Sequence, residues 1–390
     1  MPKTAGPWRL ILLLGLVSLC ADATYEGARS ISGAYLGILG ASGTVVGWVA
    51  GLGELISYGL RLLIGVLSDR SQRYWQLTTL GYVINTAAVP LMALAGSWQV
   101  LAALMIGERL GKAVRTPPRD VLLSHAALGV GKGLGFGIHE ALDQIGAVAG
   151  PLLVTAIVAA SGSYARAFAA LLLPAVVGLG VLLISQAGYP NPRNLEPVLA
   201  QEPEQQALPT RFWIYLAAVA LIGAGFVDFP LIAFHWQQSG VLPVAHIPLY
   251  YGLAMGIDAV AALGFGYGLD RLGMPILLLA LLSWVGCVPL LFWGGPVALL
   301  VGILLWGVGM GAQESILKAV VAGMVAPEHR GRAYGLFQAG YGVAWFAGSA
   351  LMGSLYDQAL PLMIALSLGL QLAAIPLLLL LAQPPNPQSS

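Results

Sequence analysis

A chain of 390 residues with 58% hydrophobic and only 9% charged side chains cannot cover a water-facing surface, because soluble domains carry about 25% charged residues. A net charge of +1 argues neither for nor against a nucleic-acid partner, but with no long basic tail and no basic, aromatic-laced loop none is expected. Cys20 and Cys287 both fall in apolar stretches, which speaks against a thiolate metal cluster.

Lys3 and Arg9 precede an apolar run from Leu10 to Cys20. This start imitates a signal peptide. It reads instead as a first spanning helix, since many spans follow and no small-residue cleavage site appears. Windows close to 20 apolar residues, the length that crosses a bilayer as a helix, recur along the chain. They predict twelve spans, at 8–28, 43–67, 76–95, 98–125, 133–158, 164–186, 210–236, 246–268, 273–293, 297–325, 332–356 and 360–382. Each is expected to be helical, because only helices and closed barrels satisfy their backbone in lipid, and the alternation of barrel strands is absent. A linker at 188–209, rich in proline and charge, divides an N-terminal six-helix bundle (1–187) from a C-terminal one (210–382). Residues 383–390 are expected to be a disordered tail. Lys3, Arg9, Arg70, Arg73, Lys132, Arg193, Arg211, Arg271, Arg330 and Arg332 then share one side of the membrane. The positive-inside rule makes that side, with both termini and the linker, cytoplasmic.

A short charged turn occurs twice, each time between apolar stretches. Gly65-Val66-Leu67-Ser68-Asp69-Arg70 continues as Ser71-Gln72-Arg73, and Gly266-Tyr267-Gly268-Leu269-Asp270-Arg271 continues as Leu272-Gly273. The copies lie about 200 residues apart, as do Gly131–Gly135 and Gly331–Gly335, which open the fifth span of each half. Such spacing suggests parallel repeats related by an axis along the membrane normal. Gly65 is expected to let two helices approach closely, and Asp69 to pair with Arg70 or Arg73.

On these features, together with an arginine in the fourth span, the chain resembles the major facilitator superfamily over its whole length. The resemblance implies an all-α membrane protein of two six-helix bundles and a secondary transporter of the inner or plasma membrane. It implies that Gly65, Asp69, Arg70, Arg73, Gly266, Asp270 and Arg271 latch one conformation. The family's loop usually continues Gly-Arg-Lys or Gly-Arg-Arg, so the first copy departs from it at the glycine and the second lacks the trailing basic residues.

The fourth span holds Glu108, Lys112, Arg115 and Arg119 on one helical face. Counting from Trp98 at 1.5 Å per residue puts Arg109 near mid-membrane. An ionisable group there costs at least about 2.5–3.5 kcal/mol and should face a cavity or a partner. Arg119 and Arg115 are close enough to the inner end to snorkel to the headgroups. Pro117-Pro118 should kink the helix. Counter-charges come from Asp22, Glu26 and Arg29 in the first span, Glu54 and Arg61 in the second, and His139, Glu140 and Asp143 in the fifth. The second half is leaner, with Asp228 in span seven. A structural ion-pair network is the plain reading of this near-balance. The sharper one assigns Asp22, Glu26, Glu54, Arg109, Lys112, His139, Glu140, Asp143 and Asp228 to a substrate and proton-coupling cavity, with Glu54, Asp22 and Asp143 foremost as proton carriers.

Gly146-Ala147-Val148-Ala149-Gly150-Pro151 resembles the Gly-x-x-x-Gly-Pro motif of exporter branches, without its two further glycines. Two glycines one turn apart make a groove for another helix. His139-Glu140-Ala141-Leu142-Asp143 is similar to a metallopeptidase His-Glu-x-x-His helix with Asp as second ligand. An intramembrane metalloenzyme would need a third ligand that no spacing favours. A transported divalent metal touching His139 and Asp143 is the alternative for those residues. The expected function is proton-coupled efflux of a small solute or ion by a monomer. An uncoupled facilitator and a divalent metal exporter are the alternatives of the same fold. No enzyme activity, resident metal or cofactor is expected, and the absence of a Gly-x-x-x-x-Gly-Lys-Ser/Thr loop excludes an ATP-driven pump in this chain.

Overall fold

A computed structural model describes residues 6–127, 130–190, 208–325 and 330–382. The predicted linker therefore falls mostly outside the described residues, at 191–207, and the predicted tail, 383–390, entirely so. Among the described residues there is no strand. The chain runs through α1 (Pro7–Ile38), α2 (Gly43–Ser71), α3 (Tyr74–Leu91), a 3-10 turn (Met92–Leu94), α4 (Trp98–Ala127), α5 (Lys132–Ser161), α6 (Tyr164–Ala170) and α7 (Leu172–Gly188). It continues with α8 (Thr210–Gly225), α9 (Phe229–Ser239), α10 (His246–Leu272), α11 (Pro275–Trp284), α12 (Cys287–Trp293), α13 (Pro296–Met324), α14 (Arg330–Gln358) and α15 (Leu360–Ala382).

Ten segments are long and apolar enough to cross a membrane, with α6–α7, α8–α9 and α11–α12 each counting as one. The predicted spans four and eleven correspond to α4 and α14, which are long but not apolar enough to qualify. In α4 the reason is its charge, with six ionised side chains from Glu108 to Asp120. Large apolar side chains stand outward along the other helices, among them Leu173, Leu263 and Val297, each at least 70% exposed. Such surface needs lipid rather than water.

The first helix runs ten residues past its expected end and carries Arg29 in its interior rather than at its end. Ser30, Ser32, Gly33 and Ala34, which lie beyond that expected end, are all buried and helical. The helix stops only where Gly40 takes a φ of +84° and the Ala41 N–H returns to the Leu36 carbonyl, a left-handed C-terminal cap. Pro117 and Pro118 do not interrupt α4. Beside them the Thr116 hydroxyl donates to the Lys112 carbonyl at 2.7 Å. Predicted span seven, by contrast, is broken where Phe226 turns extended between α8 and α9.

The chain packs as two compact units. One comprises Met1–Ser42, Leu52–Ala200 and Ala233–Gly252; the other comprises Gly43–Gly51, Gln201–Ile232 and Leu253–Ser390. Each unit thus contains a short segment from the opposite sequence half. In the first unit Leu10, Ile11 and Leu14 of α1, Trp75 and Tyr82 of α3, Leu122 and Leu123 of α4 and Leu182 of α7 form one apolar core. In the second, the start of α2 lies on α14. Asp357 accepts from the Gly43 N–H (2.9 Å), the Thr44 N–H (2.7 Å) and the Thr44 hydroxyl (2.7 Å). A carboxylate so placed caps the helix and meets the positive end of its dipole.

The two charged turns share a backbone geometry. Gln72 follows the end of α2 with φ +59°, and Gly273 follows the end of α10 with φ +62°. Each stands three residues after its aspartate, and each N–H returns to the residue four before it, Gln72 to Ser68 at 2.8 Å and Gly273 to Leu269 at 2.9 Å. The position that departs from glycine in the first copy is therefore one where glycine is preferred, and Gln72 holds it with a side-chain hydrogen bond from Nε2 to the Asp69 carbonyl. Replacing Gly273 by Ala should cost about 1–2 kcal/mol, the strain of an L-residue in this region, read as a lower thermal unfolding midpoint of the purified protein. Gln72→Gly should not lower it.

Candidate functional site

Close helix packing positions the polar groups of the first unit. A Cβ on Gly81 of α3 would strike the Arg115 backbone, and one on Gly111 of α4 would strike that of Asn85. With α3 and α4 this near, Asn85 Nδ2 donates to both the Glu108 carbonyl (3.0 Å) and its carboxylate (2.7 Å). On the other side Gly146 and Gly150 of α5 face the Leu19 and Ala23 carbonyls of α1, with no room for a side chain. Pro151 follows them inside α5.

Arg109 lies at the centre. Its Nη2 is 3.4 Å from Glu54 Oε1, and its Nε is 3.4 Å from Glu108 Oε2. Arg29 approaches the same Glu54 oxygen at 3.3 Å. Glu54 thus stands between two guanidinium groups. One turn along α4, Lys112 Nζ donates to the Tyr25 hydroxyl at 2.8 Å and lies 4.0 Å from the ring centroid. Arg115 is 1% exposed; it reaches Asp22 at 3.5 Å and lies over the Tyr82 ring at 4.5 Å. The expected snorkelling of Arg115 is therefore corrected: a carboxylate on α1 and an aromatic face on α3 hold it inside. Arg119 binds Asp120 (2.7 Å) and the Ser18 hydroxyl (3.1 Å).

His139 is buried and faces Asp143 one turn on, Nδ1 to Oδ2 at 3.7 Å, while Glu140 is exposed. Among the described residues no group of three or more His, Cys, Asp or Glu side chains is arranged to hold a metal. Glu26 accepts a hydrogen bond from the hydroxyl of Tyr251 on α10.

Asp228 lies in the second unit, in the break between α8 and α9. Its Oδ2 accepts from Trp345 Nε1 (2.8 Å) and the Ser349 hydroxyl (2.7 Å). Aromatic rings surround it: Phe226 stacks on Trp306 at 5.5 Å and meets Trp345 at 5.9 Å.

The charged turns are built differently from expectation. Asp69 accepts from the Tyr74 hydroxyl at 3.4 Å, and among the described residues neither Arg70 nor Arg73 pairs with it. All three are exposed, where an ion pair gains little over water. An added Cβ at Gly65 would make only an ordinary contact, 4.0 Å from Pro117, and at Gly266 none within its unit. Neither glycine is required for close approach here. Asp270 is exposed, and Arg271 lies over the Tyr267 ring at 4.5 Å.

Sequence reasoning passed over Asn85, Tyr25, Tyr82 and Tyr251. A lone Asn in an apolar span is a recognisable signal. Nothing local distinguishes the three tyrosines from those of an interfacial belt.

A polytopic helical bundle with ionised groups buried along one of its long helices is the architecture of a membrane transporter. The chain matches the family model of the Major Facilitator Superfamily over residues 14–317 and 274–390, and it belongs to that family. It is 44% identical over 374 residues to the uncharacterized protein Rv2265 of Mycobacterium tuberculosis, covering 94% of this chain and 91% of that one. It is 27% identical over 358 residues to the uncharacterized MFS-type transporter MJ1317 of Methanocaldococcus jannaschii, covering 89% and 88%. Among solved structures, that of the nucleoside transporter NupG superposes with a TM-score of 0.72 over 95% of this chain and 98% of that one. At 13% identity this shows the fold alone. The protein is an integral, multi-pass membrane protein of a transporter family.

Removing the Glu54 side chain leaves Arg29 and Arg109 buried without their shared counter-charge. Glu54→Ala should destabilise the protein by about 3–5 kcal/mol, the cost of breaking a buried pair from one side, read as the largest loss of thermal stability in an alanine series over Asp22, Glu54 and Asp228.

Proposed function

We propose that this protein is a proton-coupled secondary transporter that exports a small solute or ion across the plasma membrane by alternating access. The observation that carries the reading is four carboxylates, Asp22, Glu26, Glu54 and Glu108, each 6–7% exposed inside a membrane-embedded unit. Burial of this kind is costly in a bilayer and marks proton or substrate pathways. A purely structural network needs a cation for every one of them, and Glu26 has a tyrosine instead. In this reading α4 and α14 also cross the membrane, completing two six-helix bundles that act as a monomer, with both termini cytoplasmic. Asp22, Glu26, Glu54, Asp143, His139, Glu140, Arg109 and Lys112 are the working residues of the first unit, and Asp228 is that of the second. The Gly65–Arg73 and Gly266–Arg271 turns stabilise one end state of the cycle. The Gly146–Pro151 motif supports the outward direction.

Transport requires that substrate bind one protonation state better than the other, since equal affinity would move nothing. Compounds that raise the melting temperature of the purified protein supply the candidates. In everted vesicles holding a respiration-generated pH gradient, accumulation of such a compound should collapse with the gradient. It should also be lost in at least one of Asp22→Asn, Glu54→Gln and Asp143→Asn. Accumulation that survives both the uncoupler and all three substitutions would overturn proton coupling.

A further inference from the structure

Two cations of the first unit, Lys112 on α4 and Arg61 on α2, are held by neutral groups. Lys112 Nζ donates to the Tyr25 hydroxyl at 2.8 Å. Arg61 Nη2 donates to the Ser57 hydroxyl at 3.3 Å, and its guanidinium lies over the Tyr58 ring at 5.0 Å. Among the described residues neither forms an ion pair, and both are half-buried rather than sealed. The acids in electrostatic reach of Lys112 are Asp22, Glu26, Glu54 and Glu108. Each already has a partner: Arg115 for Asp22, the Tyr251 hydroxyl for Glu26, Arg29 and Arg109 for Glu54, and Arg109 and Asn85 for Glu108. Glu54 is also the acid in reach of Arg61. The two cations stand at one depth. α2 and α4 run side by side, with Gly53 against the Arg109 side chain and Gly65 beside Pro117. Lys112 therefore falls opposite the turn of α2 that carries Ser57 and Tyr58, and Arg61 folds back one turn to that level.

We propose that Lys112 and Arg61 bind the anionic group of the transported solute, and that this solute is a small organic anion carrying a carboxylate or a phosphate ester. The inference rests on the transporter reading above and names its substrate class. Cations further along the same face of α4 show what a structural charge receives in this unit: Arg115 has Asp22, and Arg119 has Asp120. Lys112 and Arg61 receive rings and hydroxyls, which orient a cation without cancelling its charge. An ionised group inside a membrane-embedded bundle faces a partner or a water-filled path. Both cations also have donors to spare. An ammonium has three and a guanidinium five; Lys112 spends one on Tyr25, and the Arg61 Nε is buried with no hydrogen-bond partner. A guanidinium fork beside an ammonium suits the oxygens of a carboxylate or a phosphate. A neutral solute would leave the two charges uncompensated, and an amine would be repelled by both.

The test uses the purified full-length protein and four matched probes at constant ionic strength: phenylacetate, phenyl phosphate, phenylacetamide and phenethylamine. At least one of the two anions should raise the melting temperature in a saturable way, while the neutral and cationic probes should not. Whichever anion binds tells a carboxylate site from a phosphate site. Lys112→Gln and Arg61→Gln, each compared with its own unliganded midpoint, should weaken that anion by roughly tenfold or more, the worth of one charge-assisted hydrogen bond. Arg61→Lys, which keeps the charge, should recover part of the loss. Stabilisation by neither anion, or equal stabilisation by the neutral or cationic probe, overturns the proposal in the parent protein alone, whether or not the variants fold. Anion binding of parental strength in both glutamine variants overturns the assignment to these residues. The same four probes offered to everted vesicles separate this inference from the wider reading. Accumulation of the amine or the amide but of neither anion overturns the anion site and leaves transport standing. Binding of an anion that the vesicles never accumulate supports the site and overturns transport.

Discussion

The organising constraint of this molecule is that Arg109 cannot be left alone. A guanidinium at this depth of a helical membrane bundle has no water to solvate it, so carboxylates must come to it. Glu54 arrives from α2 and Glu108 from its own helix. Their presence in turn fixes Asn85 on α3 and Arg29 on α1. Four helices are thus drawn to one point by a single buried cation, and the glycines of α3, α4 and α5 make the approach possible. The geometry is demanding because a buried pair stabilises only when its remaining polar atoms are also satisfied.

The two units solve the same burial problem with different chemistry. In the first, sign is balanced against sign, with aromatic rings supporting the cations: Tyr25 and Tyr82 both present their faces to Arg115. In the second, Asp228 accepts from indole and hydroxyl donors within an aromatic core.

Much of this was legible in the sequence. Helices and their approximate ends follow from apolar length, and the charged face of α4 follows from the spacing of Glu108, Lys112, Arg115 and Arg119. What was lost depends on long-range packing. The small and polar run Ser30–Ala34 is helical because it is buried, which is why α1 outlasts its predicted end. Arg115 reads as a snorkelling residue until Asp22 is placed beside it. Tyr251 is one of fourteen tyrosines, and only the tertiary fold selects it. The turns show the opposite case. The departure from glycine at Gln72 is visible in the sequence, but its meaning as a left-handed position matched by Gly273 needs backbone angles.

The exchange of segments between units bears on how the chain is made. The first N–H groups of α2, at Gly43 and Thr44, are satisfied by Asp357, more than 300 residues downstream. While the ribosome is still synthesising the intervening helices, those donors must rely on water or lipid headgroups. Residues 233–252 likewise join the first unit only after its own helices have been made. The core of α1, α3, α4 and α7 can form as soon as those helices are made, whereas the start of α2 gains its cap only once the late helices arrive.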